Sequence, residues 1–130
     1  MRLGRRCLLW LSATAFLCLA WSCFRSPIPN IDTATADQLA EVGDRWWRSR
    51  RGVDSVWHVP KVDWPRVISR FTPKSVRVSR DGINIVVGSF FVEEWGLFVL
   101  PEESVFKPTE GGDPSYHHLT GRVFWYKIKG

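Results

Sequence analysis

Alternating hydrophobic and polar residues mark two adjacent strands in the middle of the chain. Val76 and Val78 alternate with polar neighbours, and the alternation resumes after Asp81-Gly82. A period of two is typical of a strand with one buried face. The Asp-Gly pair favours a type I′ turn, because both central residues of that turn need a positive φ. The resulting two-residue loop predicts a hairpin in which Val78 faces Ile85 and Val76 faces Val87.

Beyond this hairpin the alternation lapses, and the chain then becomes apolar at consecutive positions. Residues 88–94 predict a loop, whereas residues 96–100 predict a strand that is covered on both faces. Residues 102–116 contain several glycines and prolines and predict a long loop. Residues 119–129 are rich in aromatic and β-branched side chains and predict the last strand. A further short strand is expected at residues 56–59.

Helical spacing precedes the strands. Apolar residues recur at helical intervals from Ala36 to Trp46, and Thr35 with Gln38 resembles a capping box. We therefore expect a helix from Thr35 to about Ser49, with acidic residues early and arginines late.

A second helix is expected shortly afterwards, and the elements together predict the fold class. Asp63-Trp64-Pro65 predicts a short helix at residues 66–71, because proline is favoured in the first turn. The predicted fold is α+β. The N-terminal helix, with the short second helix, packs on an antiparallel sheet of about four strands in meander order.

An uncharged apolar segment stands at the N-terminus. Residues 7–24 contain no charged side chain and follow three arginines, which is the layout of a signal peptide or an N-terminal membrane anchor. The run of 18 residues is near the lower limit for spanning a bilayer. Three fates are open: cleavage after Ser22, retention as an anchor, or lipidation of Cys23. Residues 19–23 resemble a bacterial lipoprotein signal, apart from Ala20 and Trp21.

This segment sets the predicted organisation and location of the chain. We expect residues 1–24 to direct export or membrane attachment, with a retained or lipid anchor favoured over free secretion. Residues 25–34 contain Pro27 and Pro29 and predict a linker, and residues 35–130 predict one small domain. The domain is expected on the extracytoplasmic side, with the membrane as a partner through the N-terminal segment.

Charge and cysteine content argue against several function classes. Three of the 18 basic residues precede the apolar segment, which leaves 15 basic and 13 acidic residues, a net charge of +2. So small an excess gives no support for a nucleic-acid partner. All three cysteines lie within residues 7–23. The predicted domain therefore has no disulfide, no cysteine-based metal site and no thiol nucleophile.

Arginine and tryptophan cluster at the end of the predicted helix, at Arg45, Trp46, Trp47, Arg48, Arg50 and Arg51. One hypothesis is contact with an anionic lipid surface, because tryptophan and arginine suit a membrane interface. The alternative is structural: the cations complement the helix dipole, and the tryptophans pack on the sheet.

Paired histidines suggest one enzymatic alternative. His117 and His118 follow Asp113, and a small metal-dependent or hydrolase-like enzyme would use them. A zinc site needs three or four converging ligands, and neighbours on a strand face opposite ways. We therefore predict no catalytic residue, no metal site and no cofactor.

Aromatic residues supply the remaining candidates for contact with a partner. The chain has eight Trp and eight Phe, most of which are expected to fill the core. Phe90 and Phe91 fall in the predicted loop and Trp95 directly follows it, and with His117 and His118 they are the predicted contacts to an unknown protein or small molecule. The sequence thus favours a small exported or membrane-anchored protein that is a non-enzymatic binding or structural module.

Overall fold

A computed structural model describes residues 28–130. The apolar segment at residues 7–24 and Cys23 lie outside the described residues, together with the predictions made for them. The described chain contains α1 (Thr33–Ser49), a 3-10 turn (Lys61–Asp63) and α2 (Arg66–Ser69). Its strands are β1 (Trp57–His58), β2 (Ser75–Val78), β3 (Ile83–Phe90), β4 (Glu93–Val99), β5 (Ser115–Thr120) and β6 (Val123–Ile128).

The strands form one antiparallel sheet in the order β1-β2-β3-β4-β6-β5. The α+β class is confirmed, but the sheet has six strands rather than about four. The meander order is wrong at the end of the chain, because β6 lies beside β4 and leaves β5 at the edge. The strand predicted at residues 119–129 is present as β6, but its first two residues end β5, and Gly121 turns the chain between the two strands with a φ of 55°. The loop predicted at residues 102–116 ends earlier than expected, because β5 begins at Ser115. The loop predicted at residues 88–94 is also wrong, because β3 continues through it and turns directly into β4.

The register of the β2–β3 hairpin differs from the prediction by two residues. Val78 pairs with Ile83, and Val76 pairs with Ile85. Four residues form the loop, which the Ser79 N–H closes by donating to the Gly82 carbonyl at 2.9 Å. The type I′ turn is wrong, since neither Asp81 nor Gly82 has a positive φ. A shift of two residues keeps each side chain on its predicted face, because the strand repeat is also two.

Helix α1 begins two residues before the predicted start. Its N-cap is Asp32, whose carboxylate accepts a hydrogen bond from the Thr35 N–H at 2.8 Å. The prediction of Thr35 as N-cap is wrong, because this residue is already helical and buried. The end of the helix at Ser49 and the existence of the short second helix are confirmed.

The core lies between the helical elements and one face of the sheet. Side chains of α1 such as Leu39 and Val42 pack with sheet residues such as Ile85 and Leu97. None of the helices within residues 28–130 has the length and hydropathy that a membrane span requires.

One ion pair joins α1 to the β5–β6 turn. The two amino groups of Arg122 donate to the two carboxylate oxygens of Asp44 at 2.7 and 2.8 Å. The hydrogen bond from Arg122 lowers the pKa of Asp44, so the pair stays charged well into the acidic range.

The opposite face of the sheet is also partly covered. Phe98 and Tyr126 are fully buried there. The connection between β4 and β5, residues 100–114, places Phe106 against Phe98 and Tyr116, with ring centroids 5.5 and 5.4 Å apart. Both faces of the central strands are therefore packed, as predicted for the apolar residues 96–100.

Candidate contact surface at the tip of β3 and β4

A two-residue turn, Phe91-Val92, joins β3 to β4. Phe90 pairs with Glu93 at the last position of the ladder. Phe91 has a φ of 54°, and Val92 does not have a positive φ. That combination matches a type II′ turn, in which glycine ordinarily takes the first central position. A bulky side chain in this conformation is strained by about 1–2 kcal/mol relative to an ordinary backbone.

The side chains at this turn form an exposed apolar group, which we call the hairpin tip: Phe90, Phe91 and Val92. Their exposed fractions are 51%, 92% and 69%. The two phenylalanine rings contact each other edge to face, with centroids 4.6 Å apart. Single exposed apolar residues are common, but a contiguous group that combines aromatic rings with a strained turn is typical of a contact surface.

The base of the hairpin is held by close packing. A β-bulge places Val87 as an extra residue between Val86 and Gly88. A Cβ on Gly96 would lie 2.0 Å from the Ile85 carbonyl oxygen, so only glycine fits beside the bulge. Gly88 lies under the indole of Trp95, where a Cβ would approach the ring to 2.3 Å. The exposed tip therefore projects from a tightly packed base.

A polar network strengthens the same base on the face opposite α1. Both terminal amino groups of Arg77 donate to the Glu94 carboxylate, and the Tyr126 hydroxyl donates to Glu94 Oε1 at 2.7 Å. The network joins β2, β4 and β6 across β3. Burial, and then the hydrogen bond to Glu94, raise the pKa of Tyr126, so the phenol keeps its proton and remains a donor.

Basic side chains flank the hairpin tip. Lys74 Nζ donates to Ser89 Oγ at 3.3 Å, one residue before Phe90. Lys127 Nζ lies 3.8 Å from Glu93 Oε2. Lys129 directly follows the last residue of β6, at the same end of the sheet, and its backbone N–H donates to Asp113 at 2.8 Å. Three lysines thus stand near three carboxylates, Glu93, Glu94 and Asp113, of which Glu94 is paired with Arg77.

The predicted contact residues do not all belong to this surface. Phe90 and Phe91 form the tip. Phe90 ends β3, so its prediction as a loop residue is wrong, whereas Phe91 does lie in the connection between the strands. Trp95 lies within β4 and is partly buried against the core.

His117 and His118 lie elsewhere, on the edge strand β5. His117 Nδ1 is 3.5 Å from Glu110 Oε1, and His118 Nε2 is 2.8 Å from the Gly121 carbonyl oxygen. As adjacent strand residues they point to opposite faces. Within residues 28–130, no group of three or more His, Cys, Asp or Glu side chains is placed to hold a metal ion.

The tryptophans of the Arg45–Arg51 cluster are part of the packing. Trp46 is buried and meets Trp57 edge to face, with centroids 6.2 Å apart. Trp47 Nε1 donates to the Arg80 carbonyl at 3.0 Å. The Arg50 guanidinium lies 5.7 Å from the centroid of the Trp57 ring. The rings proposed to enter a lipid surface are therefore engaged within the fold.

The remaining arginines of the cluster lie on the surface. Arg51 and Arg48 contact the Glu103 carboxylate at 3.0 and 4.0 Å, and Arg45 is exposed. Two of these exposed arginines are thus paired with an acid, and contact of the cluster with a lipid surface stays a prediction.

Sequence reasoning missed Val92 and the network of Arg77, Glu94 and Tyr126. The signal for Val92 is the apolar run from Phe90 to Val92 ahead of two glutamates. The network has no local signal, because its members are far apart in the chain.

Comparison with known proteins does not extend this picture: the chain matches no protein-family model, no curated protein and no solved structure at a significant level.

Proposed function

We propose that the protein is a non-enzymatic binding module, exported or held at a membrane by its N-terminal segment, and that the hairpin tip is its contact surface. The observation that supports this proposal is Phe91: a bulky apolar side chain, 92% exposed, at a positive φ. The fold gains little from burying this side chain and bears the strain of its backbone. Local rules of this kind are broken chiefly where a residue serves function.

The rigidity of the hairpin base supports binding by a preformed surface. Gly96 and the Arg77–Glu94 pair fix the direction in which the tip projects. A surface that is already ordered loses less conformational freedom on association, which favours affinity. The polar side chains nearest the tip are paired within the protein. Glu94 accepts hydrogen bonds from Arg77 and Tyr126, and Lys127 pairs with Glu93. This arrangement favours a module over a catalyst.

Site-specific photocrosslinking tests the contact surface. Phe91→p-benzoylphenylalanine in the full chain, illuminated in the native host, is expected to form a covalent adduct with whatever covers the tip. The matched control is the same substitution at Val105, which is 94% exposed and lies in the connection between β4 and β5. An adduct at position 91 and none at position 105 supports the proposal. Equal yields at the two positions, or none at either, contradict it.

Mass spectrometry of the mature protein tests the attachment. A chain that begins at Met1, or one that carries a lipid on Cys23, is the expected result. A chain with a free amino terminus at or after Cys23 would instead indicate secretion. The outcome bears on location alone, because the tip lies in the described domain in either case.

A further inference from the structure

We propose that a small cavity beside the end of α1 binds a small soluble phosphate, either inorganic phosphate or a phosphate monoester. The cavity has a volume of about 80 Å³ and lies between the segment that follows α1 and the start of the β2–β3 turn. One water molecule occupies roughly 30 Å³ in the liquid, so the cavity admits a group larger than a single water. The site is at the opposite end of β3 from the hairpin tip, and the inference therefore does not rest on the proposed function.

Arginine dominates the charge of this cavity. Four of the described residues that line it are charged: Arg50, Arg51, Asp54 and Arg80. Arg51 is paired with Glu103 at 3.0 Å. Within residues 28–130, none of the other three takes part in an ion pair. An anion in the cavity would therefore meet two guanidinium groups whose charge no carboxylate already matches.

One edge of the Arg50 guanidinium lacks a complete set of partners. Its Nη2 donates to Ser55 Oγ at 3.4 Å, and Ser55 also lines the cavity. Nε lies on the same edge of the group, is buried, and has no hydrogen-bond partner within the described chain. A buried N–H without an acceptor costs free energy. Two phosphate oxygens at this edge would accept from Nε and Nη2 in parallel, which is the pairing that arginine favours.

The surroundings of the cavity hold its arginines in place. The Arg50 guanidinium lies 5.7 Å from the centroid of the Trp57 ring, an arrangement that attracts a cation. Trp47 Nε1 donates to the Arg80 carbonyl at 3.0 Å and so joins α1 to the β2–β3 turn. A site whose groups are already positioned loses less conformational freedom when its ligand binds.

Carboxylates around the cavity favour a small soluble ion over a lipid surface. Asp81 lies with Asp54 and Arg80 in an adjoining depression, and Glu103 lies against Arg51. A flat anionic bilayer would face these three acids and be repelled by them. A small ion can instead enter the cavity and contact the guanidinium groups directly.

NMR of the arginine side chains tests the site. The full chain, labelled with ¹⁵N and held in micelles of an uncharged detergent, is titrated with inorganic phosphate at fixed ionic strength. We expect the Arg50 Nε–H resonance to move and to saturate, because Nε gains an acceptor. Arg66, an exposed arginine of α2, is the internal control, and its resonance should not move. Equal movement of both resonances, or of neither, overturns the proposal.

Two substitutions make the test specific. Arg50→Lys keeps the charge but loses the paired donors, so we expect phosphate affinity to fall about tenfold, followed at the Trp47 indole N–H. Arg66→Lys is the matched control and should bind as the wild type does. Asp54→Asn removes the lining carboxylate and should tighten binding several-fold. Circular dichroism checks the fold of each variant, and an Asp54→Asn chain that binds no more tightly contradicts the proposal.

Phosphatidic acid in the same micelles distinguishes a lipid head group from a soluble phosphate. With this lipid in place of inorganic phosphate, we expect the Arg50 Nε–H resonance to stay near its starting position. A shift equal to or larger than the one produced by inorganic phosphate would overturn the assignment to a soluble ligand.

Discussion

The turns at the two ends of β3 differ in how well their residues suit the backbone φ that they adopt. The β2–β3 turn contains Asp81-Gly82, the pair that tolerates a positive φ best, and neither residue adopts one. The β3–β4 turn contains Phe91-Val92, a pair poorly suited to it, and Phe91 does adopt one.

The difference follows from what surrounds each turn. The β2–β3 turn is held from outside: Trp47 Nε1 donates to the Arg80 carbonyl, and Ser104 Oγ donates to the Asp81 carbonyl at 2.8 Å. A Cβ on Gly82 would lie 2.5 Å from the Phe98 ring, so this glycine is needed for space. At the β3–β4 turn, Gly130 lies against Val92, but Phe91 is 92% exposed. A residue such as Phe91, which fits its turn poorly and is also exposed, is therefore better explained by a partner than by the fold.

The largest expected effect concerns the base on which the tip stands. Gly96→Ala is expected to lower the free energy of unfolding by about 3 kcal/mol, because the added Cβ meets backbone that cannot move away easily. Urea denaturation measures it. Gly111→Ala is the matched control, since nothing lies within 4 Å of its Cβ position. If both variants were equally stable, the base would not be the close-packed support described above.

The second effect concerns the covered turn. Gly82→Ala is expected to cost about 2 kcal/mol through overpacking against Phe98 and the Val99 carbonyl, without any backbone strain. Thermal unfolding of this variant beside Gly111→Ala measures the loss. Equal melting temperatures would mean that position 82 has room for a Cβ. Gly82 would then not be required by its packing against Phe98.

The third effect depends on pH and concerns the polar network below the tip. Tyr126→Phe is expected to cost about 1.5 kcal/mol at neutral pH, since a hydrogen bond to a charged carboxylate is lost. The pKa of Tyr126 is raised on folding, so its contribution is complete below pH 10, the ordinary value, and is lost as the pH rises above it. The stability difference between wild type and Tyr126→Phe should therefore narrow above pH 10 in urea titrations. A constant difference up to pH 11 would mean that Tyr126 does not retain its proton.

The smallest effect tests the strain at the tip itself. Phe91→Asn and Phe91→Val both delete the ring, but Asn tolerates a positive φ and a β-branched residue does not. We expect the Asn variant to be more stable than the Val variant by about 1 kcal/mol. Chemical denaturation of the two variants side by side gives the difference. If Val were equally stable, the turn would relax to an ordinary φ, and the argument from strain would fail.

Several features of the fold could be predicted because they depend on local periodicity. The amphipathic spacing of α1 identified the helix and its end at Ser49. Alternation identified β2 and the first half of β3 and assigned Val76, Val78 and Ile85 to the buried face, even though the register was wrong by two residues.

The failures have structural causes that local patterns do not contain. The bulge at Val87 shifts the alternation by one residue, and this shift hides the continuation of β3 to Phe90. Edge strand β5 has no regular alternation, because most of its side chains remain accessible. Of the candidate site, Phe90 and Phe91 were predicted as contacts, whereas Val92 and the supporting network were not.

The sequence by itself determined helix α1 and the buried face of β2 and of the first half of β3, because helical and strand periodicity places residues two to four positions apart on one face. It also determined that an uncharged segment precedes the domain. Only the tertiary structure decided that β6 inserts beside β4 and that Arg77, Glu94 and Tyr126 meet. These outcomes depend on contacts between residues tens of positions apart, for which a single sequence contains no periodic signal.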